Sequence, residues 1–378
     1  MLLALLFTMT LFLAYSNGAN DNFKGVATLY GCNTTNFKTT LLVGTFATLL
    51  GSLCSLFFAE ALAEAFSGKG LVPDVIAASP GFLLAVAAGA SATVMLASLL
   101  GLPISTTHAL TGALAGAGLM AVGSDLNATA LATKFFMPLL FSPVAAILLV
   151  MPLYRFAHFA VERLGLGKQT CLCLGPGEFV PAMAVSEDGG KVQYQYRGVG
   201  DPSTLSLCVG EAKDCVEKYN GTLLGITAQK LVDRAHFISG VVVSFARGLN
   251  DTPKIIGLLL VVNAFNSRYG MLAIALAMAL GGLLNARRVA ETMSKKIAAM
   301  NDGQAFTANL VTAFLVLFAS KLGLPVSTTH VSVSAIAGVG LVNGSASRSV
   351  MSGILASWLL TLPLAGAIAA MSYFMLAA

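Results

Sequence analysis

The sequence predicts an all-α polytopic membrane protein built from two inverted-topology repeats, with discontinuous helices and re-entrant hairpins. Three observations predict it. Hydrophobic residues make up 56% of the 378 positions and charged residues only 10%, with a mean hydropathy of +0.82. No water-soluble fold of this length has an interior large enough to bury that much apolar surface. Two polar motifs are each written twice in the same order, and equivalent loops of the two copies carry opposite charge.

In chain order, apolar runs fall near 2–15, 40–58, 82–100, 139–153, 237–245, 255–264, 271–284, 308–319 and 354–377. Several are long enough to cross ~30 Å of hydrocarbon. The others are too short alone and are broken by Gly, Pro and polar residues, as discontinuous helices and re-entrant hairpins are. The first run lacks the basic start of a secretory signal and reads as a retained membrane helix. The net charge of +5 is spread over short inter-helix loops rather than one patch, which excludes nucleic acid as a partner and makes the lipid bilayer the expected one.

The first repeated motif is Gly-x-Asn-Asp-x-x-Lys, at 18–24 and 248–254; the second is Pro-x-Ser-Thr-Thr-His, at 103–108 and 325–330. The Asn-Asp pairs are offset by 230 (Asn20 to Asn250) and the Pro motifs by 222 (Gly101 to Gly323), so one small indel separates two copies of the same order. The chain therefore divides into a first transmembrane repeat, 1–164, a soluble insert, 165–229, and a second transmembrane repeat, 230–378. Arg287, Arg288, Lys295 and Lys296 crowd one loop of the second repeat, whereas its first-repeat counterpart holds Glu60, Glu64 and Lys69. Basic loops face the cytoplasm, so these two loops lie on opposite sides and the repeats are inverted. The same logic places the N-terminus outside the cell membrane and the insert, flanked by Arg155, Arg163 and Lys168, on its cytoplasmic side.

The insert has ordinary soluble composition, and the alternation Val192-Gln193-Tyr194-Gln195-Tyr196 reads as strand. It carries Cys171, Cys173, Cys208 and Cys215. In a reducing compartment these are free thiols or a weakly signalled zinc site, because the spacing is not C-x₂-C. Cys32 and Cys54, in or beside apolar segments, read as small core residues.

Carboxylates and ammoniums inside apolar segments are expelled unless paired, hydrated or holding a ligand. A Gly-x-Asn-Asp step lets a helix open at mid-membrane, and Asn20, Asp21, Asn250 and Asp251, with freed carbonyls, make a hard-oxygen site for a small cation. Lys24 and Lys254 fall three residues after their Asp on the same helical face, so they either form internal ion pairs or turn away to the interface. Proline followed by hydroxyl residues starts a helix whose unpaired N–H groups and partial positive charge suit an oxyanion. Ser105, Thr106 and Thr107, with Ser327, Thr328 and Thr329, are the candidate anion donors. His108 and His330 orient these tips or carry a proton.

These residues resemble the inorganic phosphate transporter (PiT) family: Gly-Ala-Asn-Asp at 18–21, Gly-Leu-Asn-Asp at 248–251, both Pro-x-Ser-Thr-Thr-His segments, and Arg288-Val289-Ala290-Glu291-Thr292 followed by Lys295-Lys296-Ile297. The resemblance spans both repeats. It implies inverted repeats with two re-entrant helical hairpins and import of inorganic phosphate by proton or sodium symport, with no catalysis and no cofactor beyond the coupling ion. It also implies that Asp21 and Asp251 hold the cation and that Ser105, Thr106, Ser327 and Thr328 hold the anion. Lys24 departs from the family's common pattern, and a fixed ammonium there predicts weaker sodium dependence. A sulfate permease of the same fold is the alternative, an anion channel or a sensor is less favoured, and the sequence leaves the oligomeric state, a homodimer included, open.

Overall fold

The computed structural model describes residues 1–58, 60–163, 170–176, 180–182, 195–197, 205–211, 226–260 and 267–377. The first half contains α1 (Leu2–Asp21), α2 (Ala27–Gly31), α3 (Phe37–Phe58), α4 (Glu60–Ala65), α5 (Asp74–Ala77), α6 (Pro80–Leu100), α7 (Thr106–Val122), α8 (Ala128–Ala130) and α9 (Met137–Arg163). The second contains α10 (Ala228–Leu260), α11 (Ser267–Asn285), α12 (Arg287–Glu291), α13 (Asp302–Lys321), α14 (Thr328–Asn343) and α15 (Arg348–Ala377). Six of these helical stretches are long and apolar enough to cross a membrane, or up to seven if 269–296, bent by 68° at its break, is one span. Their exposed large side chains, such as Leu140, Phe141, Leu148, Leu359 and Leu360, form the apolar exterior such a protein presents to lipid.

The chain forms two compact units, 1–154 with 236–378, and 155–235. The smaller unit contains short strands, β1 (Thr170–Pro176), β2 (Val180–Ala182), β3 (Gln195–Arg197), β4 (Leu205–Glu211) and β5 (Ile226–Thr227), in sheets ordered β4-β1-β5 and β2-β3. The register of β1 with β4 sets Cys173 opposite Cys208. The side chains of Cys171, Cys173 and Cys208, and all of Cys215, lie outside the described residues, so the zinc expectation does too.

In the larger unit the two halves repeat element by element. α3 and α11 begin 230 residues apart, and α6/α13 and α7/α14 begin 222 apart. Packing repeats as well. A Cβ on Gly18 or Gly281 would overlap the Met278 or Tyr15 carbonyl, and one on Gly248 or Gly51 would overlap the Thr48 or Phe245 carbonyl. α1 therefore crosses α11, and α10 crosses α3, backbone against backbone, at equivalent glycines. Each crossing joins one half to the other.

The hairpin α6–α7 turns where Gly101 takes φ 71°, a conformation that ends the helix at no steric cost, and Pro103 follows. Ser105 then caps α7 by accepting from His108 N at 3.1 Å. The second hairpin repeats this with Gly323 at φ 67° and Ser327 accepting from His330 N at 3.1 Å. Both tips end in extended backbone whose carbonyls have no helix partner within the turn.

The first Asn-Asp segment is discontinuous as expected: α1 stops at Asp21 and the chain turns through 22–26 before α2. The second is not, and this corrects the expectation that both helices open. α10 runs unbroken through Asn250 and Asp251 although Pro253 lies inside it. Where the first copy has Gly25, a poor helix former, the second has Ile255, which is fully buried and anchors the next turn. Cys54 is half-buried in α3, and Cys32 is likewise half-buried in the turn after α2, at the margin of the core in which both are expected to lie.

Candidate functional site

The end of α1, the middle of α10 and the tips of both hairpins meet in one buried network. Lys24 is 3% exposed and Lys254 1%, so both lysines turn inward and form ion pairs instead of reaching for the interface. Lys24 Nζ, with three N–H donors, lies within hydrogen-bond reach of Asp21 Oδ1, of Asn20 Oδ1 at 2.8 Å, of the Ile104 carbonyl at 2.6 Å and of Thr329 Oγ1 at 2.7 Å. Lys254 Nζ donates to Asp251 Oδ1 at 3.3 Å, to the Val326 carbonyl at 2.7 Å and to Thr107 Oγ1 at 2.8 Å. Each ammonium thus takes a carbonyl from the hairpin tip of its own half and a threonine from the tip of the other. By the offsets 230 and 222 these partners are equivalent, and the crossed pattern is the mark of a two-fold relation between the halves.

The same relation holds one layer out. Asn20 Nδ2 donates to Ser98 Oγ at 3.0 Å, and Ser320 Oγ donates to Asn250 Oδ1 at 3.1 Å. Thr329 Oγ1 donates to the Ile104 carbonyl at 2.8 Å, and Thr107 Oγ1 to the Val326 carbonyl at 3.3 Å. The His108 and His330 rings meet nearly edge to face with centroids 4.2 Å apart, and the Trp358 indole, which packs on His330, donates to the Pro103 carbonyl at 3.1 Å. Symmetry-equivalent residues that touch one another lie on the pseudo-axis, and the two histidines do.

A second axial pair, Asn17 and Arg247, was not singled out by its residue types. They too are 230 apart, and Arg247 Nη2 donates to Asn17 Oδ1 at 2.6 Å. Asn17 Nδ2 lies within reach of Asp21 Oδ2 (2.9 Å), Thr106 Oγ1 (2.9 Å) and Asp251 Oδ2 (3.3 Å), tying the two carboxylates to one amide. Arg247 Nη1 reaches Asn22 Oδ1 and Thr48 Oγ1, each at 3.2 Å, and its Nε lies 3.5 Å from Asp251 Oδ2. The signal that could have found this pair was in hand: the same offset that aligns the Asn-Asp motifs places two polar residues opposite each other in apolar segments.

The structure brings together Asn20, Asp21, Lys24, Thr106, Thr107, Asn250, Asp251, Lys254 and Thr329. Thr106 Oγ1 donates to Asp21 Oδ2 at 3.1 Å, Ser105 and Ser327 are occupied as cap acceptors, and Thr328 is buried in the first turn of α14. The carbonyls at the lysines come from Ile104 and Val326 in the hairpin tips rather than from an opened helix. Among the described residues the network holds three cationic side chains, Lys24, Arg247 and Lys254, against two carboxylates, Asp21 and Asp251, a formal excess of one positive charge. Away from water such an excess is costly unless a counter-charge joins it.

A helical membrane protein whose two halves each deliver an Asp–Lys pair and a polar hairpin tip to one buried centre has the construction of a solute carrier. The sequence pattern of the phosphate transporter family matches residues 17–369, and the chain belongs to that family, whose members are transporters and not enzymes. A Rhizobium meliloti protein described as "Probable low-affinity inorganic phosphate transporter" is 27% identical over 99% of this chain and 96% of its own length. "Inorganic phosphate transporter 2-1, chloroplastic" of Arabidopsis thaliana is 26% identical over 95% of this chain and 69% of its own. Among solved structures, one titled "The sodium-dependent phosphate transporter" has the same fold, with a TM-score of 0.74 at 22% identity, covering 100% of this chain and 99% of the other.

Proposed function

We propose that the protein imports inorganic phosphate as a monovalent anion through the network shared by the hairpin tips, by symport with protons, and that Lys24 and Lys254 stand where a sodium-driven carrier would hold its ions. The carrying observation is the oxygen set around Lys24: a carboxylate, an amide oxygen, a backbone carbonyl and a threonine hydroxyl, all within hydrogen-bond reach. Hard oxygens of these kinds coordinate small cations. An ammonium tethered in their midst supplies the positive charge without an ion from solution.

The site residues keep the roles their chemistry suggests. Asn20, Asp21, Asn250 and Asp251 form the cation half. Ser105, Thr106, Thr107, Ser327, Thr328 and Thr329, at the N-termini of α7 and α14, form the anion half. His108 and His330 support the tips from the axis. The single excess positive charge of the network is matched by dihydrogen phosphate and over-matched by doubly charged sulfate, which favours phosphate over the sulfate alternative. Inverted repeats let the site open to one side of the membrane and then the other.

Uptake of labelled phosphate and sulfate into proteoliposomes under imposed proton or sodium gradients tests this reading. Expected are phosphate accumulation driven by protons, no stimulation by sodium, and the appearance of sodium stimulation in Lys24→Asn. Accumulation that ignores both gradients sinks the symport claim, sulfate uptake without phosphate uptake moves the assignment to a sulfate permease, and sodium stimulation already present in the unmodified protein removes the role given to the lysines.

A further inference from the structure

Away from the transport network, three segments distant in sequence bring a thiol, an imidazole and a carboxylate together. Cys32 lies in the turn after α2, His236 on α10, and Asp302 at the start of α13, and one ligand atom from each lies within 4.8 Å of the other two. We propose that Cys32, His236 and Asp302 form a binding site for a divalent transition cation of the zinc type, with water in the fourth position. Metal–ligand bonds of about 2.0–2.3 Å in a tetrahedral site hold ligands roughly 3.3–3.8 Å apart, so closing the cluster onto an ion needs only side-chain adjustment. A sulfur, a nitrogen and an oxygen ligand together suit a borderline-soft ion and not calcium or magnesium.

The supporting shell is that of a ligand set. A metal-bound histidine gives its other ring N–H to an acceptor that fixes the ring. Here His236 Nδ1 faces Asp302 Oδ1 at 2.9 Å while Nε2 meets Thr28 Oγ1 at 3.0 Å. Thr28 is itself held by Asn309 Nδ2 at 3.0 Å, and Asn309 also donates to Ser239 Oγ at 3.0 Å, on the turn of α10 that follows His236. Thr34 Oγ1 donates to Asp302 Oδ1 at 2.6 Å and orients the carboxylate. The capping box of Asn301 with Gln304 fixes the helix start that presents Asp302. A His–Asp–Thr hydrogen-bond network is complete without sulfur, so Cys32, whose thiol donates to the Met300 carbonyl at 3.3 Å, is the member that a bare network leaves unexplained. An open surface depression lined by Tyr30, Asn33, Thr34 and neighbouring residues adjoins the cluster at Thr34, which hydrogen bonds Asp302.

Cobalt(II) titration of the full-length protein tests the site, because a thiolate ligand gives cobalt a charge-transfer band that oxygen and nitrogen ligands do not. The protein used carries Cys54, Cys171, Cys173, Cys208 and Cys215 as serine, so that Cys32 is the sole thiol. Expected are one bound cobalt with the thiolate band, loss of the band on Cys32→Ser, and binding at least tenfold weaker in Asp302→Asn and His236→Asn. The same site is read in the unaltered protein by maleimide labelling and peptide mapping, where zinc is expected to slow modification of Cys32 at least tenfold and to do so no longer in Asp302→Asn. A folded protein that takes up cobalt without the band, a band that survives Cys32→Ser, or Cys32 labelling indifferent to zinc overturns the proposal.

Discussion

Asn17 and Arg247 hold the same place in the two halves and touch across the pseudo-axis, yet one is neutral and the other cationic. Their surroundings differ accordingly. In the first half the chain breaks after Asp21, and Lys24 curls back into four oxygen acceptors; in the second an unbroken α10 presents Asp251 to both Lys254 and Arg247. Framework positions are paired across the halves: crossing glycines, hairpin turns, capping serines and the threonines that meet the lysines. Charge is paired at the Asp–Lys positions and breaks only where Arg247 stands opposite Asn17. A strictly symmetric network could carry only an even formal charge, and the odd excess here comes from Arg247 standing opposite the neutral Asn17.

The comparison breaks most visibly at the carboxylates. Asp251 lies beside two cations and Asp21 beside one, so Asp251→Asn is expected to lower the thermal unfolding midpoint in detergent further than Asp21→Asn, with a loss of about 3–5 kcal/mol for each stranded buried pair. Equal midpoints for the two variants would show that the charges are shared and not assigned as the contacts imply. Next comes Arg247→Asn, which makes the axial pair identical and the network formally neutral. A unit charge acting over ~8 Å at an effective dielectric near 20 contributes roughly 2 kcal/mol, so half-saturation for phosphate uptake should rise about 30-fold. An unchanged half-saturation value would remove the excess charge from anion recognition.

The framework predicts the opposite behaviour, equal effects at equal positions. Gly18→Ala and Gly248→Ala each force a methyl against a carbonyl of the crossing helix and should destabilise by about 1–3 kcal/mol, alike within error. The smallest effect belongs to the caps: Ser105→Ala and Ser327→Ala should each cost about 1 kcal/mol, again as a matched pair in thermal melts. Divergence within either pair would confine the two-fold relation to the centre.

Duplication, the helical membrane fold and most of the polar centre were legible in the sequence because each leaves a local mark: a motif copied at a fixed offset, an apolar run, an ionisable residue where none is tolerated without a partner. The ion pairing of Lys24 and Lys254 was readable as one of two alternatives from their spacing, and burial decided it. What escaped depended on contacts between distant segments. Ile104 and Val326 enter through their carbonyls, which no side-chain pattern announces. The Gly-x-Asn-Asp step suggested an opening in both halves, but in the second the helix runs on through Asn250, Asp251 and Pro253. Cys32, His236 and Asp302 share no motif, and only the packing of three elements brings them together.

The hairpins themselves are not mechanically equivalent. α7 lies against α15 with Gly112 and Gly116 so close that a methyl at either would overlap the Leu362 or Gly366 carbonyl, whereas the corresponding stretch of α14 meets α9 through the Val150 side chain at Gly338. Two backbones keyed together at successive turns travel as one body. The hairpin tipped by Ser105 is thus keyed to α15 backbone against backbone, whereas the one tipped by Ser327 meets α9 through a side chain, so the two differ in what holds them to their neighbours.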